Sequence, residues 1–173
     1  IVDFDGFILI ERPNENIDKQ KDSFQQLPDH FSTAYKFSRT GGFSKSKLSQ
    51  LTQDEKYVIV DIETTGLDPN KDRIIEIGAL LCVGTDVVDQ FSTLLLTPIK
   101  LDKEITLLTG IDNELLEKDG VDREKALTEL LGFIGNNKIL MHNAKFDLQF
   151  LQKELDEMGL PRLTGKVIDT MMM

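Results

Sequence analysis

The alternation of apolar and polar positions divides the chain into three segments. Residues 1–12 alternate and then run apolar, which predicts an edge strand that needs a partner sheet. Residues 13–56 show little periodicity and are punctuated by prolines and glycines, so they are interpreted as a linker. Residues 57–173 carry the apolar runs and helical spacings that predict a folded domain.

The pattern of residues 57–173 predicts an α/β domain. Apolar runs rich in β-branched residues predict strands, and apolar positions that recur every three or four residues predict helices. The second and third strands are close enough in sequence to form an antiparallel hairpin. The predicted elements are strands at 57–63, 73–83 and 87–96, short helical pieces within 101–117, a helix from 122 to about 134, a strand at 139–141, a helix opened by residues 142–147 and a strand at 167–168.

Two carboxylates interrupt the first strand. Asp61 and Glu63 are two residues apart, so they point to one side of a strand while Ile62 points to the other. Two negative charges in a small volume near a core need a positive partner. The turn at residues 64–66 ends the strand and places both carboxylates at the edge of the sheet, where a divalent metal would bind. For an isolated D-x-E motif, a solvated strand edge or a helix cap is the alternative interpretation.

A third carboxylate, Asp147, falls in the first turn of the helix predicted after the fourth strand. It is interpreted as lying off the apolar stripe and able to face a metal held by Asp61 and Glu63. As a lone feature, Asp147 is more often a helix-start residue that complements the helix dipole. The apolar stripe of this helix consists of Phe146, Phe150, Leu151, Leu155 and Met158.

Two strings of residues carry a resemblance to a known family. D-I-E-T-T-G at 61–66 resembles the first motif of the DEDD-type 3′–5′ exonucleases, the DnaQ-like family that includes proofreading subunits of bacterial replicative polymerases. H-N-A-K-F-D at 142–147 is similar to the second motif, and L-T-G-I at 108–111 is like the segment before the family's long helix. The resemblance implies an α/β, RNase H-like exonuclease domain with a mixed central sheet, preceded by the short edge strand and the polar linker.

The resemblance also implies roles for individual residues. Asp61, Glu63 and Asp147 would be the catalytic carboxylates and the ligands of a two-metal site. Hard oxygen ligands suit Mg²⁺ or Mn²⁺ rather than Zn²⁺. The residues expected to contact the substrate are Thr64, Thr65, Gly66, Leu67, His142 and Asn143.

The third motif of the family has no match in the 173 residues. In the DEDDh branch this motif is a His followed five residues later by an Asp, which supply the general base and the fourth carboxylate. His30 and His142 are the only histidines, and neither is assigned as the missing base. Asp169, in an I-D-T string that also matches the family, is expected to be structural. A truncated chain, an untraced C-terminal segment or a lobe exchanged from a second chain would each account for the gap.

The first segment carries a separate resemblance. V-D-F-D-G-F-I-L-I at 2–10 is similar to the end of the small, ferredoxin-like subunit of the CRISPR spacer-acquisition integrase of type I-E systems. The resemblance implies that 1–12 is the C-terminal strand of such a subunit, 13–56 its linker and 57–173 a fused exonuclease domain that trims 3′ overhangs of spacer precursors. Implied partners are the CRISPR integrase subunits and a second copy, bound through the N-terminal region as a homodimer. The alternatives are a proofreading or repair exonuclease domain and a non-catalytic nucleic-acid-binding or assembly module.

Composition narrows the possible substrates. With 20 Lys and Arg against 30 Asp and Glu, the net charge is −10, which argues against general coating of a DNA duplex. A metal-containing pocket that takes a single-stranded DNA 3′ end needs no basic surface.

Cys82 lies in an apolar run and is expected to be buried in a reducing compartment. No run is long enough to span a bilayer and no signal peptide is recognised, so no membrane contact and a cytoplasmic, bacterial location are expected.

Overall fold

The structure, a computed structural model, describes residues 55–84 and 86–172. The edge strand predicted for 1–12 and all but the last two residues of the predicted linker lie outside the described residues. Their assignments therefore stay predictions.

The described residues form a five-stranded sheet with helices, as the sequence predicts. The elements, numbered here in chain order, are β1 (Lys56–Thr64), β2 (Ile74–Val83), β3 (Asp86–Leu94), α1 (Lys103–Thr109), α2 (Asn113–Asp119), α3 (Arg123–Ile134), β4 (Lys138–Met141), α4 (Ala144–Glu157) and β5 (Val167–Asp169), followed by a 3₁₀ turn at Thr170–Met172.

The sheet has the strand order β3-β2-β1-β4-β5. β1 and β3 pair with β2 in the antiparallel sense, whereas β4 is parallel to both β1 and β5. This mixed sheet confirms the predicted fold class. The parallel ladder between β1 and β4 covers only residues 57–59 of β1, so residues 60–64 have a strand neighbour on the β2 side alone among the described residues. The C-terminal half of β1 therefore has an open edge, the usual location of binding sites in open α/β sheets.

The main apolar core lies on one face of β1, between the sheet and helices α3 and α4. Val58, Val60 and Ile62 alternate along β1 and are buried in this core. The alternation places Asp61 and Glu63 on the opposite face, as the sequence predicts. The helix residues of the core are Ala126, Leu127, Leu130 and Ile134 of α3 and Ala144, Phe150, Leu151 and Leu155 of α4.

Two predictions about single residues are tested by burial. Cys82 is buried on β2 with a free thiol, as expected from its apolar run. Asp147, interpreted as lying off the apolar stripe of α4, is instead only 4% exposed and lies on the buried face. It precedes Phe150 and Leu151 by three and four residues, so helical geometry places all three on the same side.

None of the helices among residues 55–84 and 86–172 has the length and apolar character needed to cross a membrane.

Candidate functional site

The open edge of β1 brings the predicted carboxylates together. Asp61 and Glu63 are half-buried near the C-terminal end of β1. Asp147 lies at the same edge, in the first turn of α4. Burial raises the pKa of both Asp61 and Asp147, and hydrogen bonding by the Ile62 backbone, which lies between Asp61 and Glu63, opposes this rise in both. Both aspartates are therefore within reach of the same backbone group.

The crowding of these carboxylates disfavours their charged forms. Burial raises the pKa of Asp147 from 3.8 to about 8, with further upward contributions from the charges of Asp61 and Glu63. Burial also raises the pKa of Asp61 from 3.8 to about 6, and the charge of Glu76 adds to this. Negative charges that lie close together and out of water repel one another, and a bound cation would reduce this repulsion.

Glu76 is a fourth acidic residue at this site, and the sequence analysis missed it. It lies on β2 directly opposite Glu63 and is only 1% exposed. Side chains directly opposite each other in an antiparallel pair share a face, so Glu76 is on the face of Asp61 and Glu63. Its signal in the sequence is a single charge inside the long apolar run that begins at Ile74. That signal alone does not reveal which face the charge occupies.

The start of α4 is held by Asp169 at the end of β5. The backbone N–H groups of Asn143 and Ala144 donate to the two carboxylate oxygens of Asp169, each at 3.1 Å, and the N–H of Met171 donates to Oδ1 at 2.9 Å. Asn143 has a positive φ of 57°, which turns the chain from β4 into the helix. Asp169 therefore occupies the helix N-terminus, which agrees with the structural role expected for it.

His142 lies beside Thr170 at the end of β4. Its side chain is exposed and its Nδ1 lies 2.9 Å from the Thr170 hydroxyl. Partial burial lowers the pKa of His142, and the charge of Asp169 opposes this effect. With Asn143, it forms the turn that precedes Asp147, as expected for residues at a strand end.

The turn after β1 is closed by its own side chains. The hydroxyl of Thr64 donates to the Gly66 carbonyl at 2.6 Å, and the hydroxyl of Thr65 donates to Asp72 at 3.1 Å. Asp72 also accepts from the Asp68 N–H at 2.9 Å. A Cβ on residue 66 would lie 2.5 Å from the Asp72 carboxylate, so only glycine fits this position without displacement.

This turn presents Leu67 to solvent. The Leu67 side chain is 81% exposed although it is apolar, and it follows directly on the closely held residues Thr65 and Gly66. Contacts of Leu67 and of the other predicted substrate residues stay predictions.

A buried ion pair fixes α4 against β2. Arg123 at the start of α3 pairs with Glu154 of α4, and the other oxygen of Glu154 accepts from the Ile74 N–H at 3.0 Å. Arg123 also donates to the carbonyls of Ile74 and Leu96, at 3.2 and 3.0 Å. Glu154 is seven residues after Asp147 and therefore on the same side of α4. The pair was not predicted, although an acid within the apolar stripe of α4 is its sequence signal.

The donor chemistry of the site fits a hard divalent cation. Asp61, Glu63 and Asp147 offer carboxylate oxygens, the ligands that Mg²⁺ and Mn²⁺ prefer. Within the ranges that the structure describes, no three His, Cys, Asp or Glu side chains stand in an arrangement ready to hold an ion. The carboxylates thus share the open edge of β1 without forming a finished coordination sphere, and their assignment as ligands stays a proposal.

Comparison with known proteins identifies relatives among nucleases and polymerases. The family model RNase_T, described as Exonuclease, matches residues 58–173. DNA polymerase III PolC-type of Thermotoga maritima is 42% identical over 99 residues, which is 57% of this chain and 7% of that protein. The same polymerase of Clostridium perfringens is 38% identical over 117 residues, which is 68% of this chain and 8% of that protein. The chain therefore spans less than a tenth of the length of these relatives.

Solved structures show the same fold. Exonuclease I without ligand superposes with a TM-score of 0.61 at 16% identity, over 68% of this chain and 29% of that chain. E. coli Exonuclease I in complex with a dA16 oligonucleotide also gives a TM-score of 0.61 at 16% identity, over 67% of this chain and 28% of that chain. At this identity the likeness concerns the fold alone. None of these relatives supports the predicted fusion to a CRISPR integrase subunit.

Proposed function

The chain belongs to the RNase_T exonuclease family, and from that premise we propose that it is a proofreading-type exonuclease domain that removes nucleotides from the 3′ end of single-stranded DNA. The observation that carries the proposal is the convergence of Asp61, Glu63 and Asp147 at the open edge of β1. Burial raises the pKa of both Asp61 and Asp147, and the charges of Asp61 and Glu63 raise that of Asp147 further. Divalent cations bound there would neutralise the excess negative charge.

The three carboxylates have distinct positions for this task. Two ions bound at the site, Mg²⁺ or Mn²⁺, would supply an activated water and stabilise the leaving 3′ oxygen. Asp61 and Glu63 would hold the ions from the C-terminal part of β1, and Asp147 would hold them from the first turn of α4. Glu63, at the end of β1, lies next to the turn that is proposed to contact the terminal nucleotide.

The turn after β1 is proposed to orient the strand end. Leu67 projects from this turn and is suited to pack on the terminal base, while hydrogen bonds to Asp72 hold the turn in place. The hydroxyls of Thr64 and Thr65 form hydrogen bonds within the turn. Their proposed contribution to substrate binding is therefore to hold the turn in shape. His142 and Asn143 are proposed to border the same site beside Asp147.

The relatives favour a proofreading context over spacer trimming. Two PolC-type DNA polymerases III are 42% and 38% identical to this chain within the matched region. The solved exonuclease with a similar fold is described in complex with a single-stranded oligonucleotide, which supports a single-stranded DNA substrate. The CRISPR integrase fusion, its partner subunits and the homodimer rest on residues 1–12 alone, which lie outside the described residues. We therefore place the proofreading function first.

The test is degradation of single-stranded DNA labelled at the 5′ or the 3′ end, with Mg²⁺ or with a chelator. We expect a ladder of progressively shorter 5′-labelled products and early release of the label from the 3′ end, in both cases only with metal. The assay uses the chain and a version extended at its C-terminus, because the third motif is not matched here. If neither version degrades DNA, the proposed activity is wrong and a nucleic-acid-holding role takes its place.

Substitution identifies the residues responsible. We expect Asp61→Ala and Asp147→Ala each to reduce metal-dependent trimming about a thousandfold, because each removes a proposed metal ligand and several kcal/mol of transition-state stabilisation. Asp86→Ala is the matched control, since Asp86 is an exposed carboxylate at the start of β3. Circular dichroism verifies that all three variants fold. Unchanged trimming by either site variant would contradict the assignment.

A further inference from the structure

Glu76 lies at the candidate site but has no role in the proposed reaction. It pairs across the antiparallel ladder with Glu63 of β1 and, on its other side, with Leu94 of β3. Side chains of directly paired residues share a face, so Glu76 stands between Glu63 and Leu94. Leu94 is 1% exposed and belongs to an apolar cluster with Leu101 and Ile111. An apolar surface thus flanks Glu76 on one side and acidic side chains on the other.

The strand register also makes Glu76 and Asp61 neighbours on one face of the sheet. The residue paired with Asp61 on β2 is Gly78, which has no side chain. Glu76 is two residues before Gly78 on the same face, so it is the diagonal neighbour of Asp61. Asp61 is one of the carboxylates proposed to hold the ions.

The charge of Glu76 has opposite effects with and without metal. In the metal-free protein it adds repulsion to a group of acids that is already desolvated, and this destabilises the folded state. Divalent ions bound at the proposed ligands would add positive charge, and the negative charge of Glu76 on the same face of the sheet would then favour their binding. A buried charge acts through a lower effective dielectric than one in solvent.

We propose that Glu76 is a positioning residue of the metal site, whose carboxylate charge raises the affinity for divalent ions through Asp61. This inference rests on the proposed metal-dependent function and assigns Glu76 no contact with the substrate. It distinguishes Glu76 from a residue that only packs in the sheet, because a packing role does not depend on the charge of the side chain.

The experiment measures Mn²⁺ binding by calorimetry and thermal unfolding in chelator, on the full chain and without DNA. For Glu76→Gln, which keeps the shape and removes the charge, we expect Mn²⁺ affinity to fall about tenfold. In chelator the same variant should unfold at a higher temperature than the wild type, because a repulsive charge is gone. Glu76→Asp keeps the charge, and its Mn²⁺ affinity should stay within about threefold of wild type.

Glu129→Gln is the matched control for net charge. Glu129 is exposed on α3, so its removal changes the total charge by the same amount where solvent and salt screen the effect. Its Mn²⁺ affinity should equal that of the wild type. An equal loss of affinity in Glu129→Gln and Glu76→Gln would overturn the inference, since the effect would then be one of total charge.

The remaining outcomes separate the inference from the function on which it rests. If the wild type binds Mn²⁺ and Glu76→Gln binds it equally well, the inference is wrong and the proposed function stands. If Glu76→Gln unfolds at a lower temperature in chelator, Glu76 is a packing residue and the inference is also wrong. If the wild type binds no Mn²⁺ at all, the metal-dependent function fails and the inference fails with it.

Discussion

Asp147 determines how the stability of the metal-free protein depends on pH. Its pKa is raised from 3.8 to about 8, chiefly by burial. Between these two values the folded protein retains a proton that the unfolded chain has lost, so the free energy of unfolding falls as pH rises through this window. Below the lower value both states are protonated and the effect vanishes. Above the higher value the loss is complete.

We therefore expect Asp147→Asn to be more stable than the wild type in chelator at about pH 9, and similar to it near pH 4. The upper limit of the difference is on the order of 5 kcal/mol, from a shift of about four pKa units. Urea unfolding at several pH values measures this difference. Asp61, with a pKa raised to about 6, keeps some pH dependence in both proteins. Asp86→Asn serves as the exposed control, and a constant difference between wild type and Asp147→Asn across the pH range would contradict the prediction.

At the scale of elements, the position of α4 depends on Asp169. In Asp169→Ala the N–H groups of Asn143 and Ala144 lose their acceptor, which should lower the free energy of unfolding by about 1–3 kcal/mol. The first turn of α4 carries Asp147, so we expect metal-dependent trimming to fall at least about tenfold as well. Urea unfolding and the labelled-strand assay measure the two effects.

A second helix cap provides the control for this prediction. Asp112 accepts from the Leu115 N–H at 2.8 Å at the start of α2, and no proposed site residue lies on that helix. Asp112→Ala should lower the free energy of unfolding by about 1 kcal/mol and leave trimming by the folded protein unchanged. Equal trimming by Asp169→Ala and Asp112→Ala would show that Asp169 does not position the site.

The elements themselves were largely predictable from local patterns. Apolar runs and helical spacings predicted all five strands and the two longer helices to within about three residues, because those patterns depend on near neighbours. The helix predicted to begin at residue 122 has Asp122 as its N-cap, whose side chain accepts from the Lys125 N–H. Asp61 and Glu63 were recognised for the same reason, since strand alternation puts both on one face.

Long-range pairing explains what the sequence did not reveal. The position of Glu76 beside Glu63 depends on the register between β1 and β2, which shifts at Glu63 and Thr64. The ion pair of Arg123 and Glu154 joins two helices across 31 residues. No local pattern encodes these contacts.

At the scale of the whole molecule, the acidic surplus limits how DNA is bound. A net charge of −10 repels phosphates, so affinity for a strand is expected to come from the proposed metal site and a few local contacts. Proteins that contact six to ten phosphates show a steep loss of affinity with salt, whereas a contact with one strand end displaces few counterions. The substrate is then recognised by its terminus and not by its length.

We expect the kcat/KM for trimming a single strand to depend weakly on salt at constant Mg²⁺ concentration. On logarithmic axes the slope should be about −1 to −2, which corresponds to roughly two or three phosphate contacts. Steady-state trimming between about 50 and 300 mM KCl measures the slope. Strands of different length provide the control, since their slopes should agree. A slope steeper than about −4 would indicate an extended binding surface and contradict the prediction.

The hydrogen bonds from the start of α4 to Asp169 also have a consequence for the order in which the domain is completed during synthesis. A ribosome delivers the chain from its N-terminus, so Asp61 emerges 108 residues before Asp169, the difference between the two residue numbers. Until Asp169 has emerged and β5 has paired with β4, the backbone amides of Asn143 and Ala144 lack their acceptor. A nascent chain therefore holds its acidic residues long before it holds them in place, and the candidate site is completed only after β5 has emerged.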